Sequence, residues 1–162
     1  MIPPKLKDYL LAQGASKTVH SGNRLWDHLS GVHRILRACD SADYVCTAGL
    51  FHSVYGTQAF KKVTIDPTCR PEVQALISQA AEALVWAFCI LPRPKLLEIS
   101  LKRQTFAWAN DLEGATNPAQ FAQDLIRLEC ANLIEQRTLY QFPCLAHKAQ
   151  EMRMLDREGF SI

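Results

Sequence analysis

The sequence predicts an all-α protein, and three observations carry that expectation. Apolar residues recur at helical spacing through most of the chain, Pro and Gly punctuate the periodic stretches, and 162 residues is the length of one domain. No repeat, low-complexity tract or linker divides it, so residues 1–162 are read as a single helical domain.

Segment 5–13 (KLKDYLLAQ) is a short first helix, with Gly14 as its stop. Segment 24–38 places Leu25, Leu29, Val32 and Leu36 on one face, with His28 beside them. Segment 41–53 mixes small and apolar residues, as a buried helix would, and Asp40 and Ser41 are its capping candidates. Residues 54–69 carry Gly56 and Pro67 and read as a loop. Pro71 opens a helix over 71–90, which Leu91-Pro92-Arg93-Pro94 ends. Segment 95–110 fits a helix, though Leu96, Leu97, Ile99 and Leu101 also suit a short strand. Asn117 as cap and Pro118 at the first turn open the strongest helix, 118–139. A last amphipathic helix is expected near 143–156.

Composition excludes several classes. Hydrophobic residues make up 48% and charged residues 21%, which argues against intrinsic disorder. A net charge of +2, with basic residues scattered rather than striped, predicts no nucleic-acid partner. No apolar run reaches the ~18–20 residues a membrane span needs. The first ten residues, MIPPKLKDYL, lack the layout of a secretory leader, so a cytoplasmic location is expected. Six cysteines form no C-x-x-C pair and several sit in apolar stretches, so free buried thiols are expected.

The candidate chemistry centres on histidine. His28 lies on the apolar stripe of its helix, and His52 ends the next one. If those helices form an antiparallel hairpin, the two imidazoles meet, a pairing suited to a divalent transition metal. Glu129 is the candidate carboxylate, because Leu125, Ile126, Asn132 and Leu133 are its neighbours at helical spacing. A buried glutamate requires a metal or a hydrogen-bond network. Satisfied core histidines and an edge glutamate are the plainer alternative. Tyr55 and Thr57, on the loop after His52, are candidates to bond substrate or metal-bound water, or else simply pack the loop. Asn132, one turn after Glu129, could orient it or a substrate. His33, off the stripe, is expected at the surface or behind His28, and His147 is expected to face solvent.

Taken together, the order HSGNRLWDHLSGV, AGLFHS and RLECANL resembles the HD-domain metal-dependent phosphohydrolase superfamily, nearest to the hydrolase domains of RelA/SpoT-type alarmone enzymes. Ser21-Gly22 ahead of His28, the Leu50-Phe51-His52-Ser53 stretch and the late acid Glu129 carry the resemblance over residues ~20–135. It also resembles an uncharacterised HD-like family with a Leu-Phe-His-Ser-Val-Tyr-Gly-Thr signature. The resemblance implies an HD-like helical bundle holding Mn, Fe or Zn on His28, His52 and Glu129. It puts His20 near a substrate-contacting basic position; His20 is a fourth ligand, a substrate contact or a plain loop residue. Arg24 and Lys61 are the sparse basic candidates for substrate, with Lys62 beside the latter.

The departures are specific. Ser53 stands where the superfamily's doublet has aspartate, and Val54-Tyr55-Gly56-Thr57 replaces the acidic pair that follows it. A hydroxyl is a poor ligand beside a carboxylate. Three functions stay open: a metal-dependent hydrolase of a small phosphorylated or nucleotide-like metabolite, a mononuclear iron-dependent oxygenase or other tailoring enzyme, and a retired HD-like domain that binds a ligand or partner. A two-iron site would need histidines between His52 and Glu129, and residues 53–146 contain none.

Overall fold

The computed structural model describes residues 1–20 and 23–155, with only the backbone of His20 and Asn23. The architecture is all-α. Among the described residues, eight α-helices run in the order α1 (Pro4–Ala12), α2 (Leu25–Ala38), α3 (Asp43–Phe51), α4 (Arg70–Ile77), α5 (Gln79–Ile90), α6 (Lys95–Arg103), α7 (Pro118–Glu135) and α8 (Pro143–Glu151). A two-residue antiparallel bridge pairs Val19 with Arg24 and His20 with Asn23 just ahead of α2. No described helix is long and apolar enough to cross a membrane.

Helix α2 packs on α3 and α7, and α3 packs on α5, so the core lies among these four. The predicted stripe Leu25, Leu29, Val32 and Leu36 is wholly buried, as are Phe51, Phe88, Leu125 and Ile126 around it. Burying each such side chain contributes roughly 1.5–3 kcal/mol. Gly49 lets α3 approach α2: a Cβ there would lie 2.4 Å from Leu36 Cδ1 and 3.4 Å from Val32 Cγ1.

Several boundaries differ from expectation: α7 stops at Glu135 rather than 139 and α8 at Glu151 rather than 156, and three differences lie further inside the chain. The helix expected over 71–90 is two. Ser78, at φ 87°, ends α4, and its hydroxyl accepts from Ala81 N–H at 3.3 Å to cap α5. The ambiguous 95–110 stretch is α6 followed by a 3₁₀ turn, because Gln104 takes the left-handed conformation (φ 54°) and terminates the helix. Neither Asp40 nor Ser41 caps α3; Ala42 holds that position and no side chain bonds there. Elsewhere the expected signals operate. Asn117 Oδ1 accepts from Gln120 N–H at 3.2 Å, and Gly14 follows α1 at φ 89°. All six cysteines are free, with Cys39, Cys46 and Cys130 buried.

His33 is buried rather than exposed. Its Nδ1–H donates to the Cys46 carbonyl at 2.9 Å, tying α2 to α3, while Nε2 is buried without a hydrogen-bond partner. Burial lowers its pKa, outweighing the opposite pull of the carbonyl. The sign follows from linkage: the unfolded chain takes up a proton near pH ~6.5 that the folded chain refuses, so stability falls as pH drops below that value. Urea unfolding between pH 8 and 5 is expected to show this loss, and His33→Asn, which keeps a donor for Cys46, to reduce it. Equal pH dependence in the two proteins would remove His33 as the cause.

Candidate functional site

The α2–α3 hairpin brings the two predicted histidines into contact. His28 Nε2 lies 3.0 Å from His52 Nε2, and both side chains are buried. Each ring is held from behind. His52 Nδ1–H donates to the Gly49 carbonyl at 2.8 Å, one turn back on its own helix. His28 Nδ1 bonds the carboxylate of Glu135, from the end of α7. With both Nδ1 atoms facing acceptors, each ring turns its Nε2 toward the other. The edge of His52 also meets the Phe88 ring, centroids 4.7 Å apart.

Glu129 is fully buried, as its place on the apolar face of α7 predicts, and it is satisfied by a network. Arg93 Nη1 donates to Oε2 at 2.8 Å, and Asn132 Nδ2 donates to Oε1 at 3.3 Å. Gln136 Nε2 continues the chain to Asn132 Oδ1 at 3.1 Å. Arg93 is itself fixed: its Nε–H donates to the Phe88 carbonyl at 2.9 Å, and its guanidinium lies 3.3 Å from the Phe88 ring centroid. Burial lowers the Arg93 pKa, with Glu129 opposing that shift.

A cavity of about 260 Å³ opens beside this network, lined by Ser53, Thr57, Arg93, Glu129, Asn132 and Gln136. Its polar groups come from three places in the sequence: the loop after His52, the segment before α6 and the C-terminal end of α7. Thr57 Oγ1 accepts from Phe60 N–H at 2.9 Å, which leaves its hydroxyl proton available to the cavity. The histidines are not among the cavity's lining residues; His52 precedes Ser53 in the chain and meets Phe88, on which Arg93 stacks.

The remaining predicted residues are elsewhere. Tyr55 turns away, its ring packed at a steep angle on Trp86 with centroids 6.0 Å apart and its hydroxyl buried beside Glu82. Burial and the nearby Glu82 charge push that hydroxyl's pKa up. Glu82, fully buried, takes Arg70 Nε at 2.7 Å, Arg70 Nη2 at 3.1 Å and Gln74 Nε2 at 2.9 Å; this cluster clamps α4 to α5. Lys61, Lys62 and Arg24 are exposed and do not line the cavity. Ser21, Gly22 and the side chain of His20 lie outside the described residues. His147 is exposed as expected, 3.3 Å from Glu151.

Sequence reasoning missed Arg93 and Glu135. Arg93 read as part of a helix-breaking Leu-Pro-Arg-Pro stretch, and nothing nearby marked it as the partner of Glu129. For Glu135 the usable signal was its spacing, three residues after Asn132 on the same helix.

The model for a domain of unknown function, DUF6817, matches residues 9–93, just over half of the chain. The chain belongs to the DUF6817 family. No curated protein and no solved structure gives a match. The DUF6817 segment contains His28, Gly31, Gly49, His52 and Ser53 and ends on Arg93, so it holds both imidazoles and the guanidinium. Glu129, Asn132 and Glu135 follow it, on α7. In this DUF6817 protein the site is therefore completed from beyond the matched segment.

The histidine pair fits a divalent transition ion in its donor chemistry, since metal-bound imidazoles characteristically donate their other ring N–H to a carboxylate or carbonyl. Ligand nitrogens at ~2.0–2.1 Å from one ion lie roughly 3 Å apart, as these two do. No group of three or more His, Cys, Asp and Glu side chains placed to hold a metal occurs among the described residues.

Proposed function

We propose that this protein is a metal-dependent hydrolase of a small phosphorylated or nucleotide-like metabolite, of HD-like descent, with His28 and His52 holding the metal. One observation carries the reading: two buried Nε2 atoms converge at 3.0 Å while Glu135 and the Gly49 carbonyl engage both Nδ1 atoms. A metal there would make a bound water nucleophilic at neutral pH. The chain's own groups would do the rest. Arg93, Asn132 and the Thr57 hydroxyl present donors to the substrate's oxygens, Glu129 holds Arg93 in place, and the buried Phe88 stack keeps bulk water from the histidines.

A second reading is favoured by the Arg93–Glu129 pair. With Ser53 in the aspartate's place and the late carboxylate bonded to a guanidinium, the cavity would bind a ligand without turnover. Elemental analysis of untagged protein separates the two. A stoichiometric divalent metal that disappears in His28→Ala and His52→Ala, both still helical, is expected. Manganese or zinc supports hydrolysis, whereas iron would direct attention to oxygen chemistry. No metal after reconstitution would overturn the metalloenzyme and leave the binding domain.

A further inference from the structure

We propose that Glu135 is a positioning residue for His28, admitted to it by the bare backbone of Gly31; the inference rests on the reading of His28 and His52 as the metal-holding pair. Glu135 ends α7, 107 residues from His28 in the chain, yet its Oε2 reaches His28 Nδ1. His28 is nearly closed to solvent, while the Glu135 side chain is 22% exposed, so the carboxylate enters from the rim. The entry runs over Gly31, three residues after His28 on the same helix. A Cβ at Gly31 would lie 2.9 Å from Glu135 Cγ and 3.3 Å from its Oε1.

Gly31 needs explaining, because glycine inside a helix costs about 1 kcal/mol relative to alanine. It is inside α2, where backbone freedom offers nothing. Space for Glu135 is what the missing side chain provides. With the carboxylate seated, His28 Nδ1 carries the hydrogen, the ring plane is fixed, and Nε2 is presented to His52. The Gly49 carbonyl does the same for His52 from within α3. The two rings are thus oriented by different means, one by its own helix and one by a side chain from α7. Only the second can be removed by substitution.

Two measurements test this on the whole chain. Zinc titration of the metal-free protein is expected to show an affinity loss of about 10–100-fold in Glu135→Ala, the scale typical of losing a carboxylate behind a ligand histidine. Glu135→Gln, which can still accept from Nδ1–H, should recover most of the affinity. Gly31→Ala should lose it with helix content unchanged, because it displaces the carboxylate without removing it. Nitrogen-15 spectra of the imidazoles in the metal-free proteins at one pH form the second readout: the His28 Nδ1 signal should move in Glu135→Ala and Gly31→Ala and be restored in Glu135→Gln. An unchanged His28 signal in Glu135→Ala would overturn the assignment. If the wild type takes no zinc, the metal reading is what has failed, and the imidazole spectra decide the role of Glu135 by themselves.

Discussion

Arg93→Ala is expected to lower the unfolding free energy by about 3–5 kcal/mol, the cost of stranding a buried charge. Glu129 is fully buried and the Arg93 side chain is 8% exposed, so neither can turn to water when its partner goes. Alanine would leave Oε2 of Glu129 without its 2.8 Å donor and strip the cover from Phe88. The pair itself need not stabilise the fold, since desolvating two charges can cancel their attraction. That gives a sharper expectation. The double variant Arg93→Met/Glu129→Leu should be more stable than Arg93→Met alone, with a coupling of roughly 1–3 kcal/mol between the two positions. Urea unfolding of the wild type, both single variants and the double variant measures this. A loss below about 1 kcal/mol in Arg93→Ala, the range of an exposed ion pair, would mean that the guanidinium is not holding Glu129.

This pair also shows where the sequence stopped being legible. Helix periodicity placed Glu129 on a buried face and the physics of burial required a partner for it, and both hold. The identity of that partner depended on how the chain returns through Leu91–Pro94, and no local pattern encodes that path. The meeting of His28 with His52 was legible because it needs only one hairpin between consecutive helices. Glu135 was not, because its contact spans 107 residues and turns on the space at Gly31. The break at Ser78 was hidden for another reason: a serine at positive φ looks, in sequence, like any other polar residue in an amphipathic stretch. Tyr55 read as a candidate because it follows His52 by three residues, but the turn through Gly56 at φ 78° sends Thr57 to the cavity and Tyr55 toward Trp86.

Restoring the aspartate that the superfamily resemblance leads one to expect should convert Ser53 from a spectator into a ligand. Ser53 is buried, follows His52 directly and lines the cavity with Glu129 and Arg93. A carboxylate there would add a hard anionic donor beside the histidine pair, and imidazole with carboxylate suits manganese, iron or zinc. Without metal, Ser53→Asp buries a charge and is expected to cost about 2–4 kcal/mol, within the several-kcal/mol penalty for desolvating an ion. With manganese at ~100 times its dissociation constant, binding should return about 2.7 kcal/mol, which for a chain of this size raises the melting temperature by roughly 5–10 °C. If His28 and His52 hold the metal as proposed, the wild type, with Ser53 beside them, should respond less at the same concentration. Thermal melts of both proteins with and without manganese make the comparison, and His52→Ala in the Ser53→Asp background should erase the gain. A variant that loses stability without metal and recovers none with it would show that the carboxylate bonds Arg93 instead. The arginine, rather than a missing aspartate, would then define what the cavity can bind.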